Sequence, residues 1–233
     1  MQGPLSKIAH ALLACSASTQ GSGDTSHCFT SASLRSPVLA LTFDDGPHPI
    51  NTPRLLSILA RYQIKATFFV IGENARHHPD LVKRAADEGH EIGNHSWSHP
   101  KFTEIPEPTV QDELQRTAQL LTEITGRAPK LVRPPFGEST VAQRRWINNT
   151  LGCEVAQWSV DPQDWNRPGA PAIAHRVLNG TRNGSVILLH DVQTQTIQAL
   201  PRILAGLLAK GFDFATVSEL IAKNRIAADA ASV

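Results

Sequence analysis

The chain has 233 residues, of which 41% are hydrophobic and 18% charged, a composition typical of one globular domain with a sizeable core. Its formal net charge of +1 shows no basic excess of the kind that nucleic-acid binding requires, and no apolar run is long enough to span a membrane. Nucleic-acid partners and an integral membrane role are therefore disfavoured, and we expect a monomer that acts on a neutral substrate.

The N-terminal segment, residues 1–36, is rich in Ser, Thr, Ala and Gly and has neither helical nor strand periodicity, so we exclude it from the fold. It contains a short apolar stretch, interrupted by His10, that ends in Leu-Leu-Ala-Cys at Cys15 and resembles a bacterial lipoprotein signal. This start favours the cell envelope, the periplasm or secretion, with the cytoplasm as the alternative. The three cysteines leave both a Cys28–Cys153 disulfide and unpaired thiols open.

Between residues 37 and 222 the chain alternates short apolar runs with longer segments of helical periodicity. Strands are predicted at 38–43, 66–71, 91–95, 130–133, 154–160, 185–190 and 214–217. Helices are predicted from residue 52, from residue 79 to Gly89, and over about 108–125, 139–149, 170–178, 196–210 and 217–227. The alternation predicts a parallel sheet or barrel. We interpret it as a distorted (β/α) barrel of about seven parallel strands, followed by a C-terminal tail over residues 223–233.

Acids, histidines and one arginine follow the predicted strands at their C-terminal ends. In a (β/α) barrel these ends share one face, where active sites are built, so side chains distant in sequence converge there. The residues are Asp44 and Asp45 after the first strand, His95 and His99 after the third, Arg133 after the fourth, Asp161 and Asp164 after the fifth, and His190 and Asp191 after the sixth.

Asp44 and Asp45 are adjacent carboxylates, which repel each other unless they have different roles, such as a metal ligand beside a general base. A solvated Asp-Asp-Gly turn is the alternative.

His95 and His99 are four residues apart, a spacing that places both imidazoles on one face of a helical turn, although histidine pairs on protein surfaces also have this spacing. Two histidines and one carboxylate leave coordination positions open for water and substrate, as hydrolytic zinc sites require.

Five motifs, in this order and spacing, make the chain resemble the polysaccharide deacetylases of the NodB-homology family, carbohydrate esterase family four. The resemblance covers roughly residues 37 to 222. The motifs are Thr42-Phe43-Asp44-Asp45-Gly46, His95-Ser96-Trp97-Ser98-His99, Arg133-Pro134-Pro135-Phe136-Gly137, Asp161-Pro162-Gln163-Asp164-Trp165 and Leu188-Leu189-His190-Asp191.

The resemblance implies a role for each matching residue. One divalent metal ion, usually zinc but in some cases cobalt or another ion, would be bound by Asp45, His95 and His99. Catalysis would use Asp44 as base, Arg133 to hold that base, His190 as general acid and Asp164 to orient it, although a purely structural Arg133 ion pair is the alternative. Substrate contacts would come from Pro135, Phe136, Trp165 and Leu188; many members have Tyr where this chain has Phe136.

The resemblance implies a metal-dependent hydrolase that removes N-acetyl groups from N-acetylglucosamine-containing glycans such as chitin, chitooligosaccharides or peptidoglycan. One alternative keeps the same site but acts on O-acetyl esters such as acetylated xylan. Another is a non-catalytic glycan-binding relative, which would have no need of Asp44 or His190. The motifs do not distinguish among the glycans, because subsite loops choose the glycan and these carry no recognisable signature.

Overall fold

The fold is built on a curled sheet of seven parallel strands, seen in a computed structural model that describes residues 28–231. The sequence predicted all seven, and the distorted barrel is confirmed. Strand order is β5-β4-β3-β2-β1-β6, with β7 paired to the first half of β1. The strands are β1 Val38–Asp44, β2 Thr67–Val70, β3 Glu91–Asn94, β4 Leu131–Val132, β5 Glu154–Val155, β6 Val186–His190 and β7 Asp213–Ala215.

Eight helices surround the sheet in the described part of the chain. They are α1 Asn51–Tyr62, α2 Gly72–His77, α3 Pro79–Asp87, α4 Glu107–Thr125, α5 Val141–Leu151, α6 Ala170–Gly180, α7 Thr194–Ala209 and α8 Val217–Ala231. The sequence did not predict α2, because this helix of 6 residues is too short to show an apolar period. Among residues 28–231, no helix is long and apolar enough to cross a membrane.

β1 lies at the centre, and all 7 of its residues are buried. Its side chains alternate between two cores, as the period of a strand dictates. Leu39, Leu41 and Phe43 pack with the leucines of α1 and α7 on the outside of the sheet. Val38 and Ala40 face the inner core, which includes Phe69, Leu131 and Leu188. A strand covered on both faces is largely apolar, and Asp44 follows this run at the end of the sheet.

The structure corrects both predicted boundaries of the folded domain. Residues 28–36, which we excluded from the fold, connect the two edge strands: the Phe29 N–H donates to the Val155 carbonyl at 2.7 Å, and the Ala32 N–H donates to the Gly184 carbonyl at 2.8 Å. Backbone hydrogen bonds of this kind need no apolar period, so the residue pattern does not reveal them. The predicted tail from residue 223 instead continues α8 to Ala231, because good helix formers follow and neither Gly nor Pro interrupts.

The open question of a Cys28–Cys153 disulfide is answered in the negative. Cys153 is a free thiol, buried and donating to the Pro129 carbonyl at 3.2 Å. Burial raises the pKa of the Cys153 thiol to about 11, which keeps it protonated and unreactive at neutral pH. The predicted lipoprotein-like signal at Cys15 lies outside the described residues.

Candidate active site

Asp44 ends β1, and its carboxylate is held by a fully buried arginine. The Nη1 atom of Arg133 donates to Asp44 Oδ1 at 2.7 Å and to the Thr42 hydroxyl at 2.8 Å. Its remaining nitrogens donate to the carbonyls of Ala156 and Gln157. Burial lowers the pKa of Arg133 and the Asp44 charge opposes that shift, while a guanidinium stays charged in either case. These four contacts fix the guanidinium, which in turn fixes the direction of the Asp44 carboxylate.

The side chains of Asp45, His95 and His99 converge with the geometry of a metal site. The Oδ1 atom of Asp45 lies 3.4 Å from His95 Nε2 and 3.5 Å from His99 Nε2, and it is buried without a hydrogen-bond donor. Two donors, each about 2.1 Å from one zinc ion at a tetrahedral angle, lie about 3.4 Å apart. The residues present therefore fit a divalent ion.

The protonation of these donors also suits a metal. His95 Nδ1 lies 2.7 Å from the Arg133 carbonyl, which only accepts, so Nδ1 carries the proton and the Nε2 lone pair faces Asp45. Burial lowers the pKa of His99, and the adjacent His95 lowers it further. Burial acts to raise the pKa of Asp45, but the proximity of His95 outweighs it and lowers that pKa. Neutral imidazoles and an ionised carboxylate are the forms that bind zinc.

The two histidines do not lie on a helical turn, so that part of the prediction is wrong. The segment after β3 is a loop in which Ser96 and His99 have left-handed φ angles of 66° and 61°. Polar side chains compete with helical hydrogen bonds there: Asn94 Oδ1 accepts from the Ser96 N–H, and the Ser96 hydroxyl accepts from the His99 N–H. The imidazole centroids still lie 4.9 Å apart, as the predicted metal site requires.

His190 ends β6 directly beside Asp44, because the two residues are register partners in the sheet. Its Nδ1 lies 2.7 Å from Asp164 Oδ1, and the other oxygen of Asp164 accepts the His190 N–H and the Thr196 hydroxyl. Burial acts to lower the pKa of His190, but the hydrogen bond and charge of Asp164 raise it to about 9. The sequence placed these two residues on one face, and the structure brings them into contact.

One cleft of about 680 Å³ is lined by the side chains described above, namely Asp44, Asp45, His95, His99 and His190. Of the predicted substrate contacts, Phe136, Trp165 and Leu188 line it. The Phe136 side chain is 56% exposed, and its ring centroid lies 4.7 Å from that of His99. Pro135 is instead buried, and Pro134 lines the cleft in its place.

Sequence reasoning gave no role to several supporting residues. Thr42 and Thr196 position Arg133 and Asp164, but single threonines in a strand or at a helix start are too common to be a signal. Asp191 was part of a motif without a role; it is fully buried, accepts the Thr52 hydroxyl at 2.5 Å, and has a pKa that burial raises to about 7. Other unpredicted cleft residues are Lys101, Glu104, Glu138 and Trp158.

Comparison with known proteins identifies the family. Residues 31–156, more than half of the chain, match the family model for polysaccharide deacetylases. The chain belongs to this family. It is 40% identical over 191 residues to a peptidoglycan-N-acetylglucosamine deacetylase of Bacillus cereus, covering 80% of this chain and 69% of the relative. A chitooligosaccharide deacetylase of Sinorhizobium fredii is 36% identical over 196 residues, which cover 76% and 88% of the two chains.

Some relatives are considerably longer. A match to a peptidoglycan-N-acetylglucosamine deacetylase of Listeria monocytogenes, at 38% identity, covers 78% of this chain but only 38% of that protein. Among solved structures, the Bc1960 peptidoglycan N-acetylglucosamine deacetylase superposes with a TM-score of 0.80 at 38% identity, over 83% and 92% of the two chains. A family pseudoenzyme from Bacillus anthracis superposes with a TM-score of 0.78 at 26% identity, over 83% and 68%.

Proposed function

We propose that this chain is a metal-dependent hydrolase that removes N-acetyl groups from N-acetylglucosamine-containing glycans. The observation that carries the proposal is the meeting of three units in one cleft. They are the arginine-held carboxylate of Asp44, the Asp45–His95–His99 donor set and the His190–Asp164 pair.

The proposed metal would be held by Asp45, His95 and His99, with zinc preferred and cobalt as an alternative. When bound, such an ion supplies a water that deprotonates near neutral pH and an electrophile for the acetyl carbonyl. Asp44 is the proposed base for that water. Its Oδ1 is occupied by Arg133, while its Oδ2 lies 3.7 Å from His95 Nε2 and so faces the donor set.

His190 is the proposed acid. A leaving amine must receive a proton before the C–N bond breaks, and a pKa of about 9 keeps His190 protonated at neutral pH. Because Nδ1 is held by Asp164, Nε2 is the atom that we assign as donor to the leaving nitrogen. Trp165 and Leu188, both on the cleft wall, are the proposed contacts for the acetyl methyl group, and the Phe136 N–H is the proposed oxyanion donor.

Family membership alone does not establish turnover, since a pseudoenzyme shares the fold. Here both Asp44 and His190 are present and partnered, which favours an enzyme over a glycan-binding relative. Removal of N-acetyl groups is favoured over removal of O-acetyl groups because His190 is protonated at neutral pH, and an amine leaving group needs that proton more than an alkoxide does. The names of the relatives favour peptidoglycan or chitooligosaccharides as substrate. We also propose that residues 37–222, together with the segment 28–36 and the rest of α8, form the catalytic domain. We further propose placement in the envelope or outside the cell.

Matched substrates test this proposal. Purified protein is incubated with zinc and with chitopentaose, peptidoglycan fragments or acetylated xylan, and both acetate and free amine are measured by mass spectrometry. We expect equal release of acetate and amine from an N-acetylated glycan. Acetate released from xylan alone would favour the O-acetyl esterase, and saturable glycan binding without product would favour the non-catalytic relative.

A further inference from the structure

The loop that carries His99, residues 95–99, has a backbone conformation that its side chains do not favour. Ser96 and His99 bear side chains in the left-handed region, at φ angles of 66° and 61°. Such residues persist only when their surroundings over-determine them. The contacts that hold this loop are therefore part of what places the His99 imidazole.

Glu113, in the middle of α4, makes the densest set of these contacts. Its side chain lies 16 residues after Trp97 in sequence and is only 8% exposed. Oε2 accepts the backbone N–H groups of Trp97 and Ser98, each at 2.8 Å, and Oε1 accepts the Ser98 hydroxyl at 2.8 Å. One buried carboxylate thus satisfies three donors of the segment that separates the two imidazoles, through charge-assisted hydrogen bonds.

Other contacts attach the loop to α2 and to the same face of α4. The N–H of Gly72 donates to the Ser96 carbonyl at 2.9 Å, and the N–H of Glu73 donates to the Trp97 carbonyl at 3.0 Å. The Arg116 guanidinium lies 3.9 Å from the centroid of the Trp97 ring. His95, in contrast, is held by the sheet: its N–H bonds to Val70 and its Nδ1 to the Arg133 carbonyl. Helices α2 and α4 therefore position His99, whereas strands position His95.

We propose that Glu113 is a positioning residue for His99, which sets the metal affinity of the Asp45–His95–His99 site without contacting the ion. The inference rests on the proposed metal site. Removing the Glu113 carboxylate leaves the Trp97 and Ser98 N–H groups without their acceptor, so the loop loses the contacts that hold His99 Nε2 near Asp45 Oδ1, 3.5 Å away.

The test measures the zinc Kd of the full chain by competition with a chromogenic chelator, a readout independent of turnover. We expect Glu113→Ala to weaken zinc binding by about 10- to 100-fold, the usual effect of removing a supporting partner of a ligand. Glu113→Gln should restore most of that loss, because its amide oxygen can accept the two N–H groups while its NH₂ donates to the Ser98 hydroxyl. Glu123→Ala is the matched control, since Glu123 is exposed on the same helix.

A double-mutant cycle separates positioning from general stabilisation. In a His99→Ala background, Glu113→Ala should change the zinc Kd little, because the ligand that it positions is already absent. Unchanged zinc affinity in a folded Glu113→Ala variant, or an equal loss in both backgrounds, would overturn the inference, even if the unfolding temperature fell. If Glu113→Ala does not fold, Glu113→Asp, whose shorter side chain draws the carboxylate away from the two N–H groups, is measured the same way, and unchanged affinity overturns the inference. If zinc binding depends on Glu113 but the protein has no deacetylase activity, the proposed function is refuted and the positioning role of Glu113 stands.

Discussion

At the scale of single residues, the proposed division of labour between Asp44 and Asp45 predicts opposite outcomes for the same chemical change. Asp44 is bound to Arg133, whereas Asp45 Oδ1 has no protein donor and faces two imidazoles. Asp44→Asn should therefore lower kcat by about 10²- to 10⁴-fold while bound zinc remains stoichiometric, because an amide cannot accept the proton of a water. Kinetics and metal analysis on the same sample check this. Loss of zinc in Asp44→Asn but not in Asp45→Asn would mean that Asp44 is the metal ligand and Asp45 the base.

The His190–Asp164 pair makes a prediction about pH. Because Asp164 raises the pKa of His190 to about 9, Asp164→Asn should move the alkaline limb of the kcat/KM profile to lower pH and reduce its height. The raised pKa of His190 also stabilises the folded protein. This contribution is fully present at a pH below the ordinary histidine pKa of 6.5 and is lost as the pH rises through about 9. Asp164→Asn should thus reduce the free energy of unfolding more at pH 6 than at pH 10. An alkaline limb that does not move would exclude His190 as the acid.

At the scale of elements, sequence patterns predicted strands and long helices but missed structure held by polar contacts. Apolar runs identified β1 and β6 and hence the positions of Asp44 and His190 at their ends. The same reasoning assigned a helical turn to residues 95–99, where Asn94, Ser96 and a glutamate from α4 instead bind the backbone. Contacts between segments distant in sequence leave no local period, so residues 28–36 were missed as well, whereas α2 was missed because it is too short to show an apolar period.

The contact of residues 28–36 with the sheet edges can be tested at one glycine. Gly184 and Gly152 both have left-handed φ angles, of 76° and 63°, but a Cβ at Gly184 would lie 1.8 Å from the Ala32 carbonyl oxygen, while one at Gly152 would meet nothing within 4 Å. Gly152→Ala should cost about 1–2 kcal/mol from its backbone conformation alone. Gly184→Ala should cost clearly more, because it also displaces the segment. Equal changes in the free energy of unfolding would mean that this segment does not stabilise the sheet.

At the scale of the whole molecule, the site exists because seven parallel strands end on one face. The motifs at the ends of β1 and β6 are separated by more than 140 residues, yet Asp44 and His190 are register partners. The sequence could predict this convergence because the barrel rule depends only on strand direction. It could not predict the supporting partners Thr42, Thr196 and Glu113, because their contacts depend on how the helices and strands pack.

Metal removal tests the assembled site. Since two segments distant in sequence, one after β1 and one after β3, would supply the ligands to one ion, zinc should bind only the folded chain and so stabilise it by mass action. At a free zinc concentration about 100-fold above Kd, the stabilisation is about 2.7 kcal/mol, which corresponds to a rise in Tm of about 5–10 °C for a chain of this size. Chelation should abolish turnover, and zinc or cobalt should restore it. His95→Ala removes one ligand and should eliminate both the Tm rise and the recovery of activity. Full activity in metal-free protein, or an equal Tm rise in His95→Ala, would show that the Asp45–His95–His99 set is not the functional metal site.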